Sequence, residues 1–182
     1  MINFRKIHES DLRMILRWRT EPRVTRYMST DIDFNFEKQV NWYNKVVKTC
    51  KPIEHWIISH NNNPIGLINL ENYESRLQQT SWSFYIGELK HQILGGLIPA
   101  YFYNYMFFTR DPLIERINGH IFRENTRVLE MHKLYGVEEI GVLKNHIHKY
   151  GAMFDVVLIE MTREKWLLKK DMYKHYTTIF EE

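Results

Sequence analysis

Residues 55–87 constrain this chain most: they hold three short apolar-rich runs with no helix-length insert between them. Residues 55–59 (HWIIS) read as a strand, 61–64 as a turn, 65–70 as its hairpin partner, and 80–87 (TSWSFYIG) as a third strand rich in aromatic and hydroxyl residues. Consecutive strands without a crossover helix pair antiparallel. Upstream, 2–7 alternates as an edge strand. Ser10 can cap a helix over 10–20, where Leu12, Ile15, Leu16 and Trp18 form an apolar stripe that Pro22 stops. A helix over 36–49 places Val40, Tyr43 and Val47 on one face. Downstream, strands at 116–122, 137–144 and 152–162 alternate with helices over 97–109 and 126–134, and the tail from Glu164 reads as helical and peripheral. Helices separate strands only in this second half. The order predicts a mixed α/β sheet, antiparallel early, with a parallel contact near its middle.

A chain of 182 residues, 44% hydrophobic and 26% charged, suits a single domain over 1–182. Its formal charge of +3 is too mild for a nucleic-acid partner and compatible with an anionic small molecule. Cys50 is the only cysteine, so no internal disulfide forms and a reducing compartment is expected. The first residues lack the apolar run of a signal peptide, and the longest apolar stretch, 94–108, is too short to span a bilayer. The expectation is a cytoplasmic protein without a membrane partner, a monomer or homodimer. Nine histidines are scattered; His146 and His148 share a spacing but have no evident further ligands, so no metal is expected.

Two motifs carry chemistry. The first is Tyr85-Ile86-Gly87, then Gln92-Ile93-Leu94-Gly95-Gly96-Leu97, leading into a helix. Small residues before a helix N-terminus let unpaired N–H groups approach a phosphate; the same Gly-Gly pair also serves as a plain turn. The second runs from Asn125 through Val128 and His132 to Tyr135-Gly136-Val137, where Gly136 fits a left-handed helix end.

In these motifs and this order of elements the chain resembles the GNAT superfamily of N-acetyltransferases, whose pattern Gln/Arg-x-x-Gly-x-Gly/Ala is met by Gln92 and Gly95, with Leu97 in the last place. The resemblance implies a GNAT fold, a mostly antiparallel sheet of six to seven strands with helices on both faces, and acetyl-CoA as co-substrate. It implies that Tyr85, Ile86, Gly87, Gln92, Ile93, Leu94, Gly95, Gly96, Leu97, Asn125 and Val128 hold the coenzyme, with Asn125 on its pantetheine arm. Lys149-Tyr150-Gly151, Asp155-Val156-Val157 and Arg163-Glu164-Lys165-Trp166 resemble the RimJ/RimL-like branch.

The segment Trp18-Arg19-Thr20-Glu21-Pro22-Arg23-Val24, followed by Met28 and then Gln39-Val40-Asn41-Trp42, is similar to the pseudaminic acid biosynthesis (PseH-type) N-acetyltransferases. That likeness implies a UDP-linked 4-amino sugar as acceptor, with Arg19, Met28 and Gln39 facing it; Gln39 departs from the histidine of that pattern. A protein N-terminus or a polyamine is the alternative acceptor, and an acyl-CoA-binding module without turnover is a further one. His132 stands where the family carries its acidic Tyr. A histidine with a pKa of about 6.5 near a helix C-terminus could protonate the leaving thiolate, or it could simply line a wall. Tyr135 is the fallback acid, and Glu71, Ser83 or a water chain would serve as base. Arg13, Arg17, Arg19, Arg23 and Arg26 form a basic cluster, of which Arg19 alone is assigned to a diphosphate. Trp18, Trp42 and Trp82 are assigned to the core rather than to a sugar platform.

Overall fold

The computed structural model describes residues 1–49, 53–74 and 76–181; Cys50, on which the redox expectation rests, lies outside them. Seven strands follow the order β1-β2-β3-β4-β5-β7-β6. They are β1 (Ile2–Lys6), β2 (Glu54–His60), β3 (Asn63–Glu74), β4 (Gln79–Ile86), β5 (Arg116–Phe122), β6 (Glu138–Lys149) and β7 (Ala152–Thr162). The chain divides into two compact units, one of Met1–Tyr73, Trp82–Gly95 and Thr178–Glu182, the other of Glu74–Ser81 and Gly96–Thr177.

In the first unit β1 and β2 pair antiparallel from Ile2↔His60 to Lys6↔Trp56, and β2 turns back into β3 through Asn61 and Asn62. Both asparagines are left-handed, at φ 49° and 63°. Asn tolerates that region, and a two-residue turn of this hand matches the twist of the strands it joins. Helix α1 (Leu12–Thr20) buries the four expected residues, Leu12, Ile15, Leu16 and Trp18. Its entry is held by Asp11 rather than Ser10: the carboxylate accepts from the His8 N–H at 2.8 Å and from Arg5 at 2.7 and 2.8 Å. Pro22 ends α1 as expected, since it forces Glu21 extended (ψ 132°), but it also opens a four-residue helix, α2 (Pro22–Thr25). Helix α3 (Phe36–Trp42) is shorter than expected, because a π turn over Tyr43–Val47 replaces its last turns. Tyr43 and Val47 thereby join Ile7, Leu12, Ile15, Trp18, Ile57 and Leu67 in one core, while Val40 is only half-buried.

The second unit holds α4 (Ile98–Phe108), β5, α5 (Thr126–Leu134), β6, β7, α6 (Arg163–Leu167) and α7 (Lys170–Tyr173). The parallel contact is three pairs long, Gln79↔Arg116 to Ser81↔Asn118, and β5–β7 and β6–β7 are antiparallel. Gly136, at φ +78°, ends α5 as expected: its N–H bonds the Lys133 carbonyl at 2.8 Å and that of Val137 the His132 carbonyl at 3.1 Å.

The tail is not peripheral. Trp166 is fully buried and donates to Asn104 Oδ1 at 2.9 Å, while the Asn104 amide donates to the carbonyls of Tyr173 and Tyr176 at 2.9 Å each. In the first unit Phe180 stacks on Phe4 with centroids 4.0 Å apart. Aromatic burial of this size outweighs the polar composition of the segment between the two rings.

Two glycines are required by close approach. A Cβ on Gly66 would overlap the Tyr85 carbonyl, and one on Gly87 would fall inside the Trp18 indole. The Gly87→Ala variant is expected to lose about 1–3 kcal/mol of stability to overpacking, read by chemical denaturation; an unchanged midpoint would contradict this packing.

Candidate functional site

In a strand, alternate residues share a face. On β3, Leu67, Asn69 and Glu71 point one way; on β4, Ser83 and Tyr85 join them; on β2, His55 is the register partner of Asn69. These residues floor a cavity of about 460 Å³. Its other walls come from α1 (Ile15, Leu16, Arg19), α3 (Lys38, Gln39, Trp42) and the segment between them (Met28, Ser29, Thr30, Asp31, Ile32, Asp33, Asn35).

Every one of these residues belongs to the first unit. The structure thus brings Arg19, Met28 and Gln39 to one cavity and adds Tyr85, Glu71 and Ser83 to it. Gln39 is the buried residue of α3.

The cavity's polar groups are mutually engaged. Ser83 Oγ donates to Asn69 Oδ1 at 2.6 Å, and Asn69 Nδ2 donates to Glu71 Oε1 at 2.5 Å. Arg19 donates to the Thr30 carbonyl (2.7 Å) and hydroxyl (2.9 Å) and to the Thr25 hydroxyl (3.3 Å), so its guanidinium ties down the segment after α2. Lys38 pairs with Asp33 at 2.7 Å, and Asp31 accepts from Thr25 at 2.9 Å. Three carboxylates face two cations. Burial pushes the Tyr85 phenol well above its usual range, against the opposing charge of Arg19. Burial also lowers His55 to about 4, leaving it neutral, with its ring edge-on to Trp42 at 5.2 Å.

The basic cluster resolves into separate partners. Arg13 stacks on Phe36 rather than pairing with Glu9, Arg17 pairs with Glu88 at 2.7 Å, and Arg26 stacks on Tyr27. Arg23 donates to the Ile86 and Gly87 carbonyls and pairs with Glu21.

Of the residues assigned to the coenzyme, Tyr85, Ile86, Gly87, Gln92, Ile93, Leu94 and Gly95 fall in the first unit, and Gly96, Leu97, Asn125 and Val128 in the second. Residues Leu89–Leu97 form 3-10 turns that run directly into α4, so the helix does not start at a free Gly-Gly turn. Gln92 and Ile93 are exposed, and Gly95 is buried, its missing Cβ only 3.2 Å from Ile86. No side chain caps α4, and nothing stands within 4 Å of where a Gly96 Cβ would be. That open backbone fits a phosphate group. Asn125 occupies the N-cap of α5, yet its side chain makes no capping bond.

His132 corrects the expectation drawn from its place near a helix end. A helix terminus contributes roughly 0.3–1 kcal/mol toward the charged form, less than one pKa unit. Burial carries the group from 6.5 to about 4. Desolvation wins, and the imidazole is neutral at pH 7. Tyr135 has its hydroxyl on the Gly96 carbonyl at 2.6 Å and is pushed up to about 12 by burial, with Tyr173 and Tyr176 adding to it.

Sequence reasoning passed over His55 and Asn69 and put Trp42 in the core. The signal was Asn69 and Glu71 on the face that Leu67 opens, polar residues where a core strand would continue apolar. Among the described residues no group of three or more His, Cys, Asp or Glu is placed to hold a metal, and no helix is long and apolar enough to cross a membrane.

A family model for the acetyltransferase (GNAT) domain matches residues 4–158. No curated protein matches the sequence. Among solved structures, the spermidine N-acetyltransferase from Vibrio cholerae in complex with CoA and spermine superposes with a TM-score of 0.82 at 20% identity, covering 91% of this chain and 98% of the other. The spermidine/spermine N-acetyltransferase of the same organism with manganese ions gives 0.74 at 20% identity, covering 92% and 96%. At this identity the likeness is one of fold.

The two buried imidazoles set an acid sensitivity. Unfolded, each titrates near 6.5; folded, near 4. Above about pH 6.5 neither state binds these protons and stability is complete. As pH falls toward 4 the unfolded state takes them first, so stability drops by up to about 1.4 kcal/mol per pH unit per histidine. Urea unfolding at pH 7.5, 6 and 5 is expected to show that decline; a flat series would contradict the burial of both rings.

Proposed function

This chain belongs to the GNAT acetyltransferase family, and from that premise we propose that it acetylates a small cationic amine of the polyamine type, held in the cavity over β2, β3 and β4. The enzyme is an acetyl-CoA-dependent N-acetyltransferase. Acetyl-CoA supplies the acetyl group as an activated thioester. Within the second unit, Gly96 would present its backbone N–H to the diphosphate, Leu97 would flank it, and Asn125 and Val128 would hold the pantetheine arm. Tyr135 would hold the Gly96 carbonyl in place.

One observation carries the acceptor assignment: Asp31, Asp33 and Glu71 line the cavity, while its two cations, Arg19 and Lys38, are engaged with Thr30, Thr25 and Asp33. A half-buried cavity of this balance favours a ligand bearing ammonium groups. The Vibrio cholerae structures described above, which share the fold, are spermidine N-acetyltransferases, and this supports the same choice.

A nucleotide-linked amino sugar is the second reading. It is favoured by Arg19, Met28 and Gln39 lining one cavity with Trp42, which is partly buried against the core and lines the same cavity.

CoA release with acetyl-CoA and, in turn, spermidine, spermine, a peptide amine and a UDP-linked 4-amino sugar separates these. The expected result is a kcat/KM at least about tenfold higher on a polyamine. Turnover confined to the UDP-sugar moves the acceptor to the second reading. Turnover confined to the peptide, or tight CoA binding with no turnover at all, overturns both.

A further inference from the structure

The hydrogen bonds across the cavity floor have a direction that only one arrangement satisfies. An ionised carboxylate accepts and cannot donate. Glu71 therefore turns the Asn69 amide so that Nδ2 faces it, at 2.5 Å, and Oδ1 faces away. Ser83 Oγ stands 2.6 Å from that Oδ1, an acceptor, so the serine must donate its single proton there. What Ser83 has left for a ligand is lone pairs alone. One carboxylate thus fixes the polarity of two side chains, Asn69 on its own strand and Ser83 on the next.

We infer that Ser83, Asn69 and Glu71 form the subsite for the acceptor's reacting nitrogen, a row that offers hydrogen-bond acceptors and no hydroxyl donor to the cavity. The inference rests on the cavity being the amine's. A second observation supports it independently. His55, the register partner of Asn69, is 9% exposed, lines the same cavity, and its Nδ1 has no hydrogen-bond partner. A buried ring nitrogen left in that condition is costly unless a ligand meets it. Because burial keeps His55 neutral, it adds no positive charge to repel an ammonium.

The chemistry of the match is simple. A primary ammonium donates three hydrogen bonds and accepts none; Ser83 Oγ and the Glu71 carboxylate supply the complementary lone pairs, the latter with charge. The Glu71 carboxylate is also the group in this row able to take the proton the nitrogen must lose before it attacks the thioester. A phosphate, carboxylate or acyl oxygen meets no hydroxyl donor from this row, only the second N–H of the Asn69 amide. The floor thereby selects which end of an acceptor enters: the amine goes in, and any anionic or carbonyl portion stays toward the side of Lys38 and Arg19.

Steady-state kinetics of the full chain with acetyl-CoA and spermidine, or with whichever amine of the acceptor screen is turned over, tests this. Ser83→Ala is expected to raise KM for the amine about tenfold or more, with kcat and the KM for acetyl-CoA changed less than threefold. Ser83→Thr, which keeps the hydroxyl, restores the amine KM. Glu71→Gln frees the Asn69 amide to reverse and lets Ser83 aim its proton at the ligand, so it raises the amine KM even with Ser83 intact. An amine KM within twofold of the unaltered chain in both Ser83→Ala and Glu71→Gln overturns the subsite while leaving amine acetylation standing. Failure of the unaltered chain to acetylate any amine overturns both together. Should Ser83→Ala not fold, Ser83→Thr and Glu71→Gln still decide the matter.

Discussion

The seat of Trp18 on Gly87 is the contact on which the first unit depends. The indole is fully buried, its Nε1 donates to Glu88 at 2.8 Å, and its ring occupies the space that any β-carbon at Gly87 would need. Arg23 adds bonds to the carbonyls of Ile86 and Gly87. Together they anchor α1 and α2 to the end of β4. Helix α1 carries Ile15, Leu16 and Arg19, so this anchor sets the height of one cavity wall above the floor. Gly66 does the corresponding work underneath, where the absence of a side chain admits the Tyr85 carbonyl. A pocket able to order a small flexible amine needs walls that do not themselves move.

Much of this was legible in the sequence. The strand runs of β2, β3 and β4, a turn within 61–64, and Gly136 at the end of α5 rest on local backbone preferences that nothing distant overrode. The failures were tertiary. Proline at 22 announces a helix break from one side and a helix start from the other, and only the fold shows that it does both. No glycine or proline marks the π turn at Tyr43–Val47, so the pattern in the sequence ran on as helix. The tail looked peripheral because its composition is polar, yet Trp166 and Phe180 bury it. The position of His132 along the helix is visible in the sequence and its burial is not, and desolvation outweighs the helix end in setting its charge.

At the cavity the sequence named the right neighbourhood and missed its logic. Arg19, Met28 and Gln39 line one cavity. Their environment changes what they can do, since Arg19 is spent on Thr30 and Thr25. The group that organises the floor, Asn69, carries no motif at all. Its importance comes from lying between a hydroxyl and a carboxylate that are 12 residues apart in sequence, Ser83 and Glu71. Membership of the GNAT family then supplies the reaction, and the acceptor class we propose rests on the charge balance of the cavity.

The most direct test is a crystal structure of the chain with CoA and saturating spermidine. The account places a primary nitrogen of the polyamine within about 3.2 Å of Ser83 Oγ or the Glu71 carboxylate, with the remaining ammonium groups toward Asp31 and Asp33. A polyamine bound elsewhere, with the cavity closed by its own side chains, would contradict it.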